Sequence, residues 1–221
     1  MDKLKDDFGR ESRKVDLELH RVPFFLEPDY RFKPDGWWET HTDRMVRKFG
    51  SQEAFDQVKV AHCLMPRAKE AGLDAEGWSD ENLDRRRQSS TLRAHRLILW
   101  LDETLGWERA ETAMEHLHAA HFVHGALLND HEVLTAAARA AGAEGAAAEA
   151  FLRSERLTSA VLGTADAVHA MGIHSIPTLL IDGRPVINGA AGQADVLAAL
   201  RRAAADATGK RRFDPQAHAN G

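Results

Sequence analysis

The chain has 221 residues, with 29 Lys and Arg against 34 Asp and Glu, and so a formal net charge of -5 at pH 7. This length suffices for a sizeable hydrophobic core, and the acidic balance excludes a global field attracting nucleic acid or anionic lipid. No apolar run approaches the ~20 residues of a membrane span, and the charged first ten residues contain no apolar signal segment. We therefore predict a cytoplasmic protein with neither nucleic acid nor membrane as a partner.

The chain contains a single cysteine, Cys63. One thiol cannot supply an internal disulfide, a Cys-x-x-Cys pair or a cysteine-based zinc site within these residues. Cys63 lies in a predicted helix over 52–71, where a lone cysteine usually packs as a small apolar residue. We predict no catalytic role for it.

The N-terminal elements are short. Residues 1–9 are typical of the end of a helix closed by Gly9, and the alternation over 14–21 predicts a strand. An apolar, irregular segment bounded by Pro23 and Pro28 follows. Pro34–Gly36 then has the composition of a turn.

Residues from Thr42 to about Gly172 have helical periodicity throughout. Glycines such as Gly50 and Gly106 stand where helices are expected to end, and Asp130 is a favourable N-cap. Residues 73–89 form the longest polar connector. The predicted helices are 42–49, 52–71, 90–104, 107–124, 130–141 and 144–171, the last broken once.

The pattern changes after Gly172. Thr178–Asp182 predicts a short strand, Asp182-Gly183 a two-residue hairpin turn, and 185–188 the return strand. An amphipathic helix is predicted over 192–205, and the polar residues 206–221 are expected to be disordered.

The most informative local motif is Gly172–Thr178 (GIHSIPT), which runs directly into the predicted strand. A proline at the start of a strand donates no ladder hydrogen bond. Two interpretations stay open: a cis Ile176–Pro177 bond that exposes neighbouring backbone groups at a site, or a trans proline on an edge strand.

The order of these motifs resembles the DsbA-like thioredoxin family, and most closely its cytoplasmic FrnE-like branch. The resemblance covers about residues 1–205. The segments that carry it are Pro23–Asp29, Arg47–Ser51, Ala94–Leu97 with Trp100, Asn129–Leu134, Ser175–Thr178 and Asp182–Arg184.

The resemblance implies an α/β, thioredoxin-like fold with a large α-helical insertion, here lacking the first strand. Residues 1–35 and 172–205 would form the incomplete thioredoxin-like domain, and 36–171 the inserted helical domain. It further implies thiol–disulfide oxidoreductase activity on protein or small-molecule thiols and disulfides. Ser175, Ile176 and Pro177 would bind the substrate, and His95 would line the cleft from an inserted helix, although helix packing is an alternative role for His95.

The catalytic Cys-x-x-Cys of the family is missing from these residues. In the family it opens the first helix, where the helix dipole lowers the thiol pKa, whereas MDKLKDDFG matches only later turns of that helix. Three explanations stay open: an N-terminal truncation, a redox-inactive member, or replaced chemistry. A missing central strand would leave an open sheet edge, so we expect a partner such as a second copy in a homodimer.

Two other classes of function remain in view. A redox-inactive thioredoxin-fold protein could bind a peptide at the groove of Ile176 and Pro177. A glutathione-dependent isomerase or transferase would instead use a serine in place of the first cysteine. We expect no cofactor apart from glutathione, which only this last class would require. For these residues we therefore assign no catalytic residue.

Other patterns carry weaker signals. His118, His121 and His124 would fan over roughly 120° of a helix and could not easily converge on one ion, so we predict no metal site. Arg85–Arg87 and Lys210–Arg212 lack interleaved aromatic residues and are expected to be solvated. The Trp37-Trp38 pair could wall an apolar groove.

Overall fold

A computed structural model of the protein describes residues 17–59, 72 and 86–206. These residues are mostly helical, with two small antiparallel sheets. They divide into two compact units, one within Glu27–Thr158 and the other within Met1–Leu26 and Ser159–Gly221. The mixed α/β class agrees with the prediction, whereas the predicted domain boundaries at 35/36 and 171/172 stay a prediction.

The unit within Glu27–Thr158 begins with irregular and short elements. A 3₁₀ turn (Pro28–Phe32) is followed by the predicted turn, in which the Trp37 N–H donates to the Pro34 carbonyl at 3.1 Å. Strand β1 (Trp38–Thr40) then pairs antiparallel with β2 (Arg87–Ser89), a small sheet that the periodicity did not predict.

Helices make up the rest of this unit. Thr40 caps α1 (His41–Phe49) by accepting from the Asp43 N–H at 3.0 Å, and α2 (Gln52–Lys59) follows. Asp130 likewise accepts from two N–H groups at the start of α5, as predicted. The remaining helices are α3 (Leu92–Leu105), α4 (Trp107–His118) with a π-helical turn (Ala119–Val123), α5 (His131–Ala140) and α6 (Gly145–Leu152).

The core of this unit lies between α3, α4, α5 and α6, where leucines and small alanines allow close helix packing. Trp100 stacks on Phe151 with ring centroids 4.7 Å apart. Beside them, the buried guanidinium of Arg96 donates to the carbonyls of Ser154 and Arg156 just beyond the end of α6. Arg96 therefore donates hydrogen bonds to two backbone carbonyls that lie beyond the helix and have no partner within it.

The second unit contains the rest of the chain. Its described elements are α7 (Thr158–Ala170, from Ser159 onward), β3 (Thr178–Ile181), β4 (Arg184–Asn188) and α8 (Gln193–Asp206). Asp182 and Gly183 both have positive φ, 50° and 78°, as a two-residue hairpin turn requires. The predicted hairpin and closing helix are confirmed.

Two expectations need correction. The predicted helix over 144–171 does break once, between Leu152 and Thr158, but the helix over 107–124 ends at His118 in a π-helical turn. Residues 17–21 of the predicted strand over 14–21 are not a strand: alternation predicts which face a side chain takes but provides no pairing partner, and neither described sheet includes these residues.

Several predictions lie outside the described residues: the helix over 1–9, the second half of the helix over 52–71 with Cys63, residues 73–85 of the connector over 73–89, and the tail after Asp206. The last residues of that connector, Arg87–Ser89, form β2 instead. Among the helices that are described, none combines the length and the apolar character needed to span a membrane.

Candidate functional site

The end of α7 sets the position of the loop that leads to β3. Gly172 adopts φ 77°, and its N–H donates to the His169 carbonyl while the Ile173 N–H donates to the Val168 carbonyl. These two bonds form a Schellman motif, with buried Val168 and Ile173 as its apolar pair. The chain therefore reverses at Gly172 and enters the loop 173–177.

Side-chain hydrogen bonds hold the loop against the end of β4. The Ser175 hydroxyl donates to Asn188 Oδ1 at 2.7 Å, and the Thr178 hydroxyl donates to the Ser175 carbonyl at 2.8 Å. The Gly189 N–H donates to the Pro177 carbonyl at 2.8 Å. The Ser175 and Pro177 carbonyls thus each accept a hydrogen bond from within the unit.

Ile176 differs from its neighbours in the loop. Its side chain is 47% exposed, and no hydrogen bond within residues 17–59 and 86–206 involves its backbone N–H or carbonyl. The Ile176–Pro177 peptide bond, which the sequence left open, is cis. An apolar side chain next to two available backbone groups can receive an extended peptide.

The structure brings together three of the four predicted substrate-binding residues, Ser175, Ile176 and Pro177, in one loop. His95 lies half-buried in the first turn of α3, in the unit within Glu27–Thr158. The assignment of all four as substrate-binding residues stays a prediction.

Asn188 is the residue of this site that sequence reasoning missed. Its Oδ1 lies within 2.7 Å of the Ser175 hydroxyl and 3.4 Å of the Thr178 hydroxyl. The hairpin pairs Thr178 with Asn188 only because its register shifts by one residue between Leu179 and Leu180. An unshifted two-residue hairpin would place Ile187 opposite Thr178, so the sequence contains no direct signal for Asn188.

The histidines of the predicted helix over 107–124 do not form a cluster of ligands. His121 is buried, its Nδ1 lies 3.0 Å from the Ala126 carbonyl, and burial lowers its pKa. Within the described ranges, no three His, Cys, Asp or Glu side chains form a group that could hold a metal ion.

The two adjacent tryptophans have different surroundings. Trp37 meets Tyr30 edge-to-face at 5.0 Å and has the Lys33 ammonium 4.8 Å from its ring. Trp38 is 45% exposed, with the Arg87 guanidinium 5.3 Å from its ring. Each indole therefore carries a cation over its ring, and the predicted apolar groove stays a prediction.

The family model of the DSBA-like thioredoxin domain matches residues 59–201, more than half of the chain. The matched range contains α3 to α7, the loop 173–177 and the hairpin, and it ends within α8. A search of curated proteins found no match.

Proposed function

Because this chain belongs to the family of DSBA-like thioredoxin domains, we propose that it serves thiol–disulfide exchange and that its loop 173–177 binds the disulfide-containing partner. The observation that carries this proposal is the state of Ile176, an exposed apolar side chain beside backbone groups without a partner in the described structure. We place this protein in the cytoplasmic, FrnE-like branch on the sequence motifs given above.

The binding step follows from the hydrogen bonds of the loop. Ser175 and Pro177 are held to Asn188 and Gly189, so little further ordering is needed when a partner binds. An extended segment beside Ile176 would exchange N–H and carbonyl groups with it as in strand addition. Burial of the isoleucine side chain adds an apolar contribution of roughly 1–2 kcal/mol.

The exchange step needs two thiols. A thiolate attacks one sulfur of the substrate disulfide and forms a mixed disulfide, and a second thiol then releases the reduced substrate while the two enzyme sulfurs become a disulfide. The 221 residues contain one cysteine. We therefore propose that exchange uses a redox pair from outside these 221 residues.

Peptide binding tests the role of the loop. A fluorescent, extended peptide with carboxymethylated cysteines is titrated with the wild-type chain and with Ile176→Ser. We expect affinity about 5- to 30-fold weaker for the variant, because roughly 1–2 kcal/mol of apolar burial is lost. Leu105→Ser is the matched control, since Leu105 is 42% exposed in the other unit. Equal affinities for all three proteins would refute the assignment.

A redox-inactive binding protein is the second candidate, favoured by the single cysteine of the chain. In both candidates the loop binds a peptide, so the thiol content of the endogenous protein distinguishes them. The 221-residue chain alone should fail to reduce insulin, and turnover abolished by Cys63→Ser would contradict this. Specific binding of glutathione by the 221-residue chain would favour a glutathione-dependent isomerase or transferase instead.

A further inference from the structure

Two exposed histidines meet directly ahead of the loop. The Nδ1 atoms of His169 and His174 lie 3.3 Å apart, and the ring centroids are 4.4 Å apart with the planes inclined by 77°. His169 lies in the last turn of α7, and His174 is the residue before Ser175.

The backbone explains why these two rings meet. A spacing of five residues would place them on different faces of a continuous helix, because each residue advances the helix by about 100°. The Schellman motif at Gly172 reverses the chain instead, and buried Val168 and Ile173 fix the reversal. His174 therefore returns to the side chain of His169 through backbone geometry that apolar burial stabilises.

The distance between the two nitrogens matches that required of two ligands on one ion. Imidazole nitrogens bind Zn²⁺ at about 2.0–2.1 Å, and two such ligands at a tetrahedral angle are separated by about 3.3–3.4 Å. A ring with its proton on Nε2 presents the Nδ1 lone pair to an ion, and both rings can adopt that tautomer.

We propose that His169 and His174 form a binding site for a divalent transition-metal cation, with Zn²⁺, Ni²⁺ and Cu²⁺ as the ions that imidazole suits. Within the described ranges no third ligating side chain joins them, so water occupies the remaining coordination positions. Because His174 directly precedes Ser175, the ion would fix the start of the loop to the end of α7. The metal site itself does not depend on the function proposed above.

Metal titration of paired variants tests the proposal. Zn²⁺ is titrated calorimetrically into the chain purified without a tag and stripped of metal, so that a histidine tag or a metal ion carried over from purification does not obscure the binding step. We expect the tightest binding step to weaken at least tenfold in His169→Ala and equally in His174→Ala. His116→Ala, which removes an exposed histidine of α4, should leave that step unchanged.

An NMR measurement locates the ion independently of affinity. Zn²⁺ should shift the ring ¹⁵N signals of His169 and His174 before those of the other histidines, with the Nδ1 signals changing most. Because both rings are exposed, the variants should keep the circular dichroism spectrum of the wild-type chain. If His169→Ala changes that spectrum, His169→Gln replaces it as the test variant. Equal binding by the wild-type chain and all variants, or first shifts at other histidines, would overturn the proposal.

Discussion

Gly172 sets the chain reversal that leads into the candidate site, and we predict that replacing it with alanine lowers the unfolding free energy. Its φ of 77° lies in the left-handed region, yet a Cβ built there would meet no atom within 4 Å. Gly172→Ala therefore costs only backbone strain, about 1–2 kcal/mol, offset by about 0.4–1 kcal/mol from the stiffer unfolded chain. The expected net loss of unfolding free energy is about 1 kcal/mol.

Gly163 provides the matched control on the same helix. It lies inside α7 and is exposed, and a Cβ there also meets nothing within 4 Å. Gly163→Ala should stabilise the unit by about 0.5–1 kcal/mol, because alanine has the higher helix propensity. The two glycine-to-alanine changes thus have opposite expected signs.

Amide hydrogen exchange of the buried residues Val161 and Val168, together with urea unfolding, measures both variants. Exchange reports on the unit that contains α7 even if the two units unfold separately. We expect faster exchange in Gly172→Ala and slower exchange in Gly163→Ala than in the wild-type chain. Wild-type or greater stability of Gly172→Ala would refute the claim that a left-handed glycine ends α7.

Two further predictions concern the helical unit. Arg96→Met should lower the unfolding free energy by about 2–3 kcal/mol, because two carbonyls beyond α6 lose their buried donor. The control Arg139→Met, at an exposed position, should change it by less than about 0.5 kcal/mol, and the midpoints of urea unfolding compare the two variants. Burial lowers the pKa of folded His121, so the unfolded chain takes up the proton first and stability should fall as pH drops through about 6.5. His121→Gln should flatten this pH dependence in thermal unfolding and exposed His116→Gln should not, and an unchanged slope in His121→Gln would contradict the assignment.

Features that depend on neighbouring residues could be predicted from the sequence. Glycines at helix ends, Asp130 as an N-cap and Asp182-Gly183 as a hairpin turn all act within a few residues, and the structure has each of them. Features that depend on distant pairing could not. Strand β1 has three residues and no alternation, and its partner Arg87–Ser89 lies at the end of the segment predicted as a connector over 73–89.

The candidate site divides in the same way. Ser175, Ile176 and Pro177 are adjacent in the sequence, so one motif identified the loop. Asn188 reaches Ser175 only across the hairpin, and its position opposite Thr178 depends on a register shift that the turn residues do not predict.

The proposed histidine pair shows what helical spacing alone does not reveal. His118, His121 and His124 fan over roughly 120° of a helix, and His121 is buried against the Ala126 carbonyl. His169 and His174 have no such spacing, and the chain reversal at Gly172 brings them together. Side chains beyond a helix end therefore have to be considered with the geometry of the helix cap.

The central claim is that this chain belongs to a protein that carries out dithiol exchange, and the thiol content of the endogenous protein tests it most directly. Intact mass is measured after reduction and alkylation of all thiols. We predict three alkylated cysteines, Cys63 and a redox pair from outside these 221 residues, in a chain heavier than 24.5 kDa. A mass of 24.5 kDa with one alkylated cysteine would contradict the exchange function and leave a redox-inactive binding protein.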